Sequence, residues 1–376
     1  MCRPIGFLST VFCLLVMFSC GPSQMEKSAI DEEPVKEKNS PNIILIIGDG
    51  TGLTQLSTLW YYGNETPNYE RFKVVGLSKT NSSSHQITDS GAGATAFSIG
   101  EKTYNGAIGV DKDSVSKTLI TEILTEKGYA SGLIATSSIT HATPASFYAH
   151  VKSRNEAYEI ASQLVTSDID FFAGGGIGYF AQRPDEQNLI EQLRENGFAI
   201  DTHSIDSILI GDKQGYLLAD DGLPTIKEGR GDFLAKSTNK AIEFLDAKEA
   251  PFFLMIEGSQ VDWGGHANDA EYIVTEAADL DKAVGIALDY ASKHGNTLVV
   301  ALADHETGGF ALSPVQVNGF GGIKKDDYNK VEGKFTTVGH TCAHIPVFAF
   351  GPKAELFSGI YENNLIFNKL LESCKP

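Results

Sequence analysis

Three apolar runs in this chain each stop on a carboxylate. Asn42-Ile43-Ile44-Leu45-Ile46-Ile47-Gly48 leads into Asp49, Pro251-Phe252-Phe253-Leu254-Met255-Ile256 into Glu257, and Thr297-Leu298-Val299-Val300-Ala301-Leu302-Ala303 into Asp304-His305. Unbroken runs of this kind read as strands buried on both faces of a parallel sheet. In such sheets ligands gather at the carboxyl ends of the strands. Acids brought together there repel one another unless cations hold them. A site for several metal ions is the simplest chemistry that fits.

Other residues add donors to that set. Asp262 and His266 are four apart, so one helical turn puts both on one face, just after Glu257. Asp304-His305 and Gly339-His340-Thr341 bring further oxygen and nitrogen donors, and nitrogen points to zinc or a similar ion rather than calcium. Ile87-Thr88-Asp89-Ser90-Gly91-Ala92-Gly93-Ala94-Thr95 offers a serine at a helix start, where backbone N–H groups and the helix dipole favour an anion. A plain capping serine after an aspartate is the bland alternative; the neighbouring metal donors favour the nucleophile. His85, His150, His203, His294 and His344 stand in no such context and are expected to be structural.

The elements that must position these groups alternate strand and helix from Pro41 onward. The expected fold class is α/β, a doubly wound, largely parallel central sheet with helices on both faces. A helix is expected from Ser90 to Gly100, a strand over Ala130–Ala135 followed by a polar loop to Thr143, and a helix over Ala270–Lys293. Gly174-Gly175-Gly176-Ile177-Gly178 lacks dinucleotide-loop spacing and reads as a turn, and residues 181–235 read as a polar, peripheral excursion.

Taken in order, the Ile87–Thr95 run, the Glu257/Asp262/His266 block, Asp304-His305 and His340-Thr341 resemble the alkaline phosphatase family, over Asn42 to Gly351. Trp263-Gly264-Gly265 and Ile139-Thr140-His141-Ala142-Thr143-Pro144 resemble its compact, cold-active bacterial branch. The resemblance implies hydrolysis of phosphate monoesters through a phosphoseryl intermediate on Ser90, with two Zn2+ ions and one Mg2+. It implies Asp262, His266 and His340 at the first zinc, Asp49, Asp304 and His305 at the second, and Asp49, Thr143 and Glu257 at the magnesium. Arg154 would clamp two phosphate oxygens, a task that suits a guanidinium. His141 would lie near the magnesium through water, and Trp263 would stand where some members carry Lys or His. The family is usually homodimeric. Fewer than forty residues separate His305 from His340, which leaves little room for the larger interface insertion of some relatives. A diesterase or sulfohydrolase of the same superfamily, or a non-catalytic phosphate-binding lipoprotein, are the alternatives.

Charge and targeting bound the rest. With 48 acidic and 30 basic residues the formal charge is −18, which argues against a nucleic-acid-binding surface. Attraction of a phosphorylated substrate must then be local. Arg3 precedes an apolar stretch from Phe7 to Phe18, too short to span a bilayer. It runs into Ser19-Cys20-Gly21, resembling a lipoprotein signal with Met17 in place of the usual Leu. The expected organisation is a signal peptide over 1–19, a lipidated Cys20, a flexible tether over 20–40 and a catalytic domain over 41–376. Export to the periplasm and a membrane anchor follow from that. Cys342 and Cys374 remain as thiols, and their spacing leaves open whether they pair.

Overall fold

In the computed structural model, residues 40–375 are described. The expected signal peptide, Cys20 and all but the last residue of the tether lie outside the described residues. The strands are β1 (Asn42–Gly48), β2 (Val74–Lys79), β3 (Ala130–Ser138), β4 (Phe171–Gly175), β5 (Phe198–Asp201), β6 (Lys213–Leu217), β7 (Phe252–Gly258) and β8 (Thr297–Leu302). They continue with β9 (Glu306–Thr307), β10 (Ala311–Asn318), β11 (Lys324–Lys334), β12 (His340–Thr341), β13 (Ile345–Phe350) and β14 (Gly359–Glu362). Ten of them form one sheet in the order β14-β2-β13-β8-β1-β7-β3-β4-β6-β5. Only β13 runs against its neighbours. The sheet is the expected doubly wound, largely parallel one.

Its central strands are apolar throughout because both faces are covered. Ile43, Leu45 and Ile47 point into one core with the helices Ser90–Ile99, Ala157–Val165 and Leu365–Ser373. Ile44 and Ile46 point into the other with Leu53–Tyr62, Phe233–Asp246 and Ala270–His294. Each such side chain, fully removed from water, contributes roughly 1.5–3 kcal/mol. The three strands that end on acids are adjacent: β1 lies between β7 and β8, with Ile47 level with Glu257 on one side and Leu302 on the other. That register delivers Asp49, Glu257 and Asp304 to one edge of the sheet.

Two expectations shift. β3 extends to Ser138, so the first three residues of the expected polar loop are strand. Residues 181–235 are less peripheral than their polarity suggests, since they supply the helix Leu189–Glu195, the edge strand β5 and its neighbour β6. Both strands are short and only partly buried, Lys213 and Gln214 among the half-buried positions, which is why their sequence reads as irregular. Cys342 is exposed, Cys374 is buried and both are free.

Candidate metal and phosphate site

The carboxyl ends of β1, β7 and β8 open onto a crowd of acids and imidazoles. Asp49, Glu257, Asp304 and His305 are buried, and Asp262 nearly so. Asp49 Oδ2, Asp304 Oδ2 and Glu257 Oε1 have no hydrogen-bond partner among the described residues. A buried carboxylate oxygen left unpaired costs more than the pocket can return unless a cation sits against it. Burial first, then the neighbouring Asp304, Asp262 and Glu257 carboxylates, push the Asp49 carboxyl well above its usual range. Glu257 is pushed up to about 7, chiefly by burial, against the hydrogen bond from the Ser259 hydroxyl. Without metal ions these acids would partly hold protons.

The imidazoles make the same point through their tautomers. His266 Nδ1 is 2.6 Å from the Val338 carbonyl, and His340 Nδ1 is 2.9 Å from the Thr88 carbonyl. A carbonyl only accepts, so each Nδ1 carries the proton and donates it. The two Nε2 atoms, 3.2 Å apart, then face each other as lone pairs unless His266 takes a second proton. Asp262 Oδ2 is 3.3 Å from His266 Nε2, and Asp262 Oδ1 is 3.6 Å from His340 Nε2. Two lone pairs and a carboxylate around one point are the donor set of a tetrahedral zinc site with an open position. Burial works to raise the Asp262 carboxyl, but the His266 hydrogen bond and the charges of His305, His266 and His340 hold it well below its usual range.

A second cluster shares its wall. Asp49 Oδ1 is 3.5 Å and Asp304 Oδ2 is 3.2 Å from His305 Nε2. The Thr307 hydroxyl donates to Asp262 Oδ1. Its oxygen therefore accepts from His305 Nδ1 at 3.3 Å, leaving His305 Nε2 to face the two carboxylates. Ser90 Oγ lies 3.2 Å from that Nε2 and 3.4 Å from Asp49 Oδ1. Donor atoms of Asp49, Asp304 and His305 lie within 4.8 Å of one another, as do those of Asp262, His305 and His340 and those of Asp49, His141 and Glu257. The donor chemistry fits three cations. Thr143 is buried beside the last group with its hydroxyl unpartnered among the described residues. His141, expected only to reach that metal through water, approaches Asp49 and Glu257 closely enough to ligate.

Ser90 opens the helix Ser90–Ile99, but Asp89 is its cap. Asp89 Oδ1 accepts from the Ala92 N–H at 3.0 Å, which releases the serine hydroxyl from capping. The small residues that follow serve packing against the strand ends as well as access. A Cβ at Gly93 would stand 3.0 Å from the Asp304 Cβ. Arg154 donates from Nη1 to Asp89 Oδ2 at 3.1 Å and from Nη2 to His141 Nε2 at 3.2 Å. Its guanidinium is thereby aimed across the pocket mouth. Burial and the Arg154 charge push His141 down to about 3, so the ring is neutral.

All twelve residues singled out in the sequence come to this edge of the sheet or its rim. Four others are absent from that set. Thr307 bridges ligands of two clusters; Ser259 donates to Glu257 Oε2 at 2.6 Å; Asp89 steadies Arg154. Glu306 accepts from Gln55 at 2.6 Å and from Thr341 at 2.5 Å, tying β9 to β12 and so His305 to His340. A buried hydroxyl or acid one or two places from a ligand was the available signal, and it is a weak one. His85, His203, His294 and His344 are exposed and His150 half-buried, outside the clusters.

Comparison with known proteins gives one answer. The alkaline phosphatase family profile matches residues 40–334. Alkaline phosphatase 3 of Bacillus subtilis (strain 168) is 32% identical, the match covering 98% of this chain and 96% of that one. Alkaline phosphatase of Escherichia coli (strain K12) is 29% identical over 91% of this chain and 88% of its own. The structure of alkaline phosphatase from the Antarctic bacterium TAB5 superposes with a TM-score of 0.86 at 50% identity, covering 89% of this chain and 98% of that one. A variant of that enzyme, with a histidine changed to aspartate, carries Mg in its M3 site and superposes with a TM-score of 0.87.

Proposed function

The chain belongs to the alkaline phosphatase family, a family of metal-dependent phosphate monoester hydrolases, and from that premise we propose how its residues divide the work. Asp262, His266 and His340 hold one Zn2+, Asp49, Asp304 and His305 a second, and Asp49, Glu257 and Thr143 an Mg2+, with His141 beside it. The observation that carries this is the set of buried, unpartnered oxygens on Asp49, Asp304 and Glu257, with Ser90 Oγ 3.4 Å from the other Asp49 oxygen. When bound, such ions neutralise the phosphate charge, favour the serine alkoxide and stabilise the departing oxygen.

The chain's own residues do the rest. Arg154, held by Asp89 and His141, binds two non-bridging oxygens and orients phosphorus towards Ser90 Oγ. Ser90 loses its proton in a pocket where Asp49 Oδ1 is the nearest carboxylate oxygen, and attacks in line. The product alcohol leaves on the side of Asp262, His266 and His340, where the half-exposed His266 marks the open wall. Water then cleaves the phosphoserine from that side, and phosphate departs past Arg154. The open, metal-centred chemistry fits a broad range of monoesters. Monoesters rather than diesters fit because Arg154 engages two oxygens that must both be unesterified.

Two further readings concern assembly and place. Exposed Leu53 and Tyr61 on the helix after Asp49, tied through Tyr62 to the β10–β11 hairpin, form the face a second copy would cover in a homodimer. Export and anchoring through Cys20 are supported by the signal-like start. Ser40 lies two residues before β1, at the strand's amino end, and Asp49 follows its carboxyl end.

Metal analysis of the purified protein, with p-nitrophenyl phosphate turnover before and after chelation, tests the central reading. Two zinc ions and one magnesium per chain, and activity restored by both metals together, are expected. A fully zinc-loaded preparation inert towards that ester would overturn it. Parallel assays with an aryl phosphodiester and an aryl sulfate separate the related activities.

A further inference from the structure

Trp263 stands between the metal site and a loop that no part of the mechanism uses. Its indole meets His141 edge-on, ring centres 6.2 Å apart at 74°. His141 in turn accepts from Arg154. On its other side the indole lies against Gly222: a Cβ there would stand 2.5 Å from Trp263 Cη2 and 3.2 Å from Cζ3. Contacts that short do not occur, so any side chain at 222 must displace either the loop or the ring.

The loop has little freedom to yield. Next to Gly222, the Leu223 N–H donates to the Thr136 carbonyl at 3.1 Å, and the Leu223 carbonyl accepts from Gln260 Nε2 at 2.8 Å. Further along, the Ile226 N–H donates to Glu276 Oε1 at 3.0 Å. Arg230 pairs with Glu276 and with Asp279 Oδ2, all three side chains buried, and donates from Nη1 to the Pro224 carbonyl. The loop is thus fastened to β3, to the helix carrying Asp262 and to the long helix Ala270–His294. The half-buried indole is the softer partner.

Resting on the phosphatase reading above, we propose that Gly222, backed by Arg230, is a positioning residue that sets the Trp263 indole against His141 and so fixes the angle at which Arg154 meets phosphate. No bond to substrate is involved; the effect passes by packing from loop to indole, indole to imidazole, and imidazole to guanidinium. A slot of glycine width on one side and a neutral imidazole on the other leaves the ring one seat.

The test is a double-mutant cycle of Gly222→Ala with Trp263→Ala, read on metal-loaded enzyme as kcat/KM for p-nitrophenyl phosphate and as the inhibition constant for inorganic phosphate. In the parent, Gly222→Ala lowers kcat/KM about fivefold to twentyfold and weakens phosphate inhibition by a similar factor. In the Trp263→Ala background it changes either by less than about twofold. A second readout does not depend on activity. The chain has two tryptophans, so Trp60→Phe leaves Trp263 as the lone indole. In that background Gly222→Ala shifts its emission and raises quenching by iodide. Equal losses with and without Trp263, or an unmoved emission spectrum, overturn the proposal even if the enzyme remains a phosphatase. Should Gly222→Ala not fold, Arg230→Lys, which slackens the loop from its far end, is carried through the same cycle with the same two criteria.

Discussion

Two buried groups of acids in this molecule meet the same physical problem in opposite ways. Glu276 and Asp279, on the long helix, have Arg230 between them, itself buried. Burial pushes both carboxyls up and the Arg230 charge draws them back down. Asp49, Glu257 and Asp304 have no such partner among the described residues. Their nearest fixed cation, Arg154, pairs instead with Asp89 at the rim. One cluster carries its counter-charge in the chain and closes; the other has no cation of the chain among its oxygens and is built to take ions. The difference separates an ion cluster that holds a loop from one that does chemistry, and it lies in the cation: Asp279 Oδ1 also lacks a hydrogen-bond partner, but Arg230 pairs with the other oxygen of that carboxylate.

The largest effects should come from emptying the open cluster of its reactive atom. Ser90→Ala is expected to lower kcat for p-nitrophenyl phosphate by at least about a thousandfold and to abolish phosphate bound covalently to protein. Acid quench after brief exposure to labelled phosphate measures the second. Label still trapped on the variant would mean that another residue is the nucleophile.

Next in size is the contrast in stability. Arg230→Met strips the closed cluster of its cation and should destabilise the protein by about 3–5 kcal/mol, read by urea melts. Glu257→Gln works the other way in chelated protein. The folded-state pKa of Glu257, about 7, lies above its ordinary 4.5, so the folded chain favours the protonated acid. The associated stability is complete below pH 4.5 and lost as pH rises through 7. Relative to the parent, metal-free Glu257→Gln should therefore be level at pH 4.5 and more stable by about 3 kcal/mol at pH 8. The comparison must be made against the parent, because neutral His141 has the opposite linkage: its depressed pKa adds stability as pH rises towards 6.5. Equal stability of the two proteins at pH 8 would show that a cation of the chain, not a metal, already serves Glu257.

How much of this was legible beforehand follows the range of the interactions. The central strands could be read because burial on both faces leaves an unbroken apolar run, and their terminal acids came with them. Asp262 and His266 could be read because a helical turn is local. β5 and β6 could not, since strands of four and five residues are too short to show a period, and Lys213-Gln214-Gly215 carries almost no pattern. Asp89 reads only as a neighbour of the nucleophile, because capping geometry decides which of two adjacent polar residues bonds the backbone. Thr307, Glu306 and Gly222 act through contacts with residues 35 to 45 places away along the chain. No local periodicity records such partners.

The smallest expected effect is the one that narrows the contrast between the clusters. Trp263→Lys gives the open site a cation of its own, one residue from Asp262 and facing His141. A lysine there attracts bound phosphate through solvent at the pocket mouth, so the gain is that of a partly exposed charge pair, about 1 kcal/mol. Phosphate inhibition should tighten about threefold to tenfold, and kcat should fall wherever release limits turnover. Added salt should erode the gain, because screening weakens an exposed pair far more than a metal–oxygen bond. The lysine also abandons the seat against Gly222, so a control with Trp263→Met separates lost packing from added charge. If Met and Lys change phosphate inhibition equally, the site has no use for a further cation and its charge balance is already complete with metals bound. If only Lys tightens it, the natural tryptophan is the reason product leaves quickly.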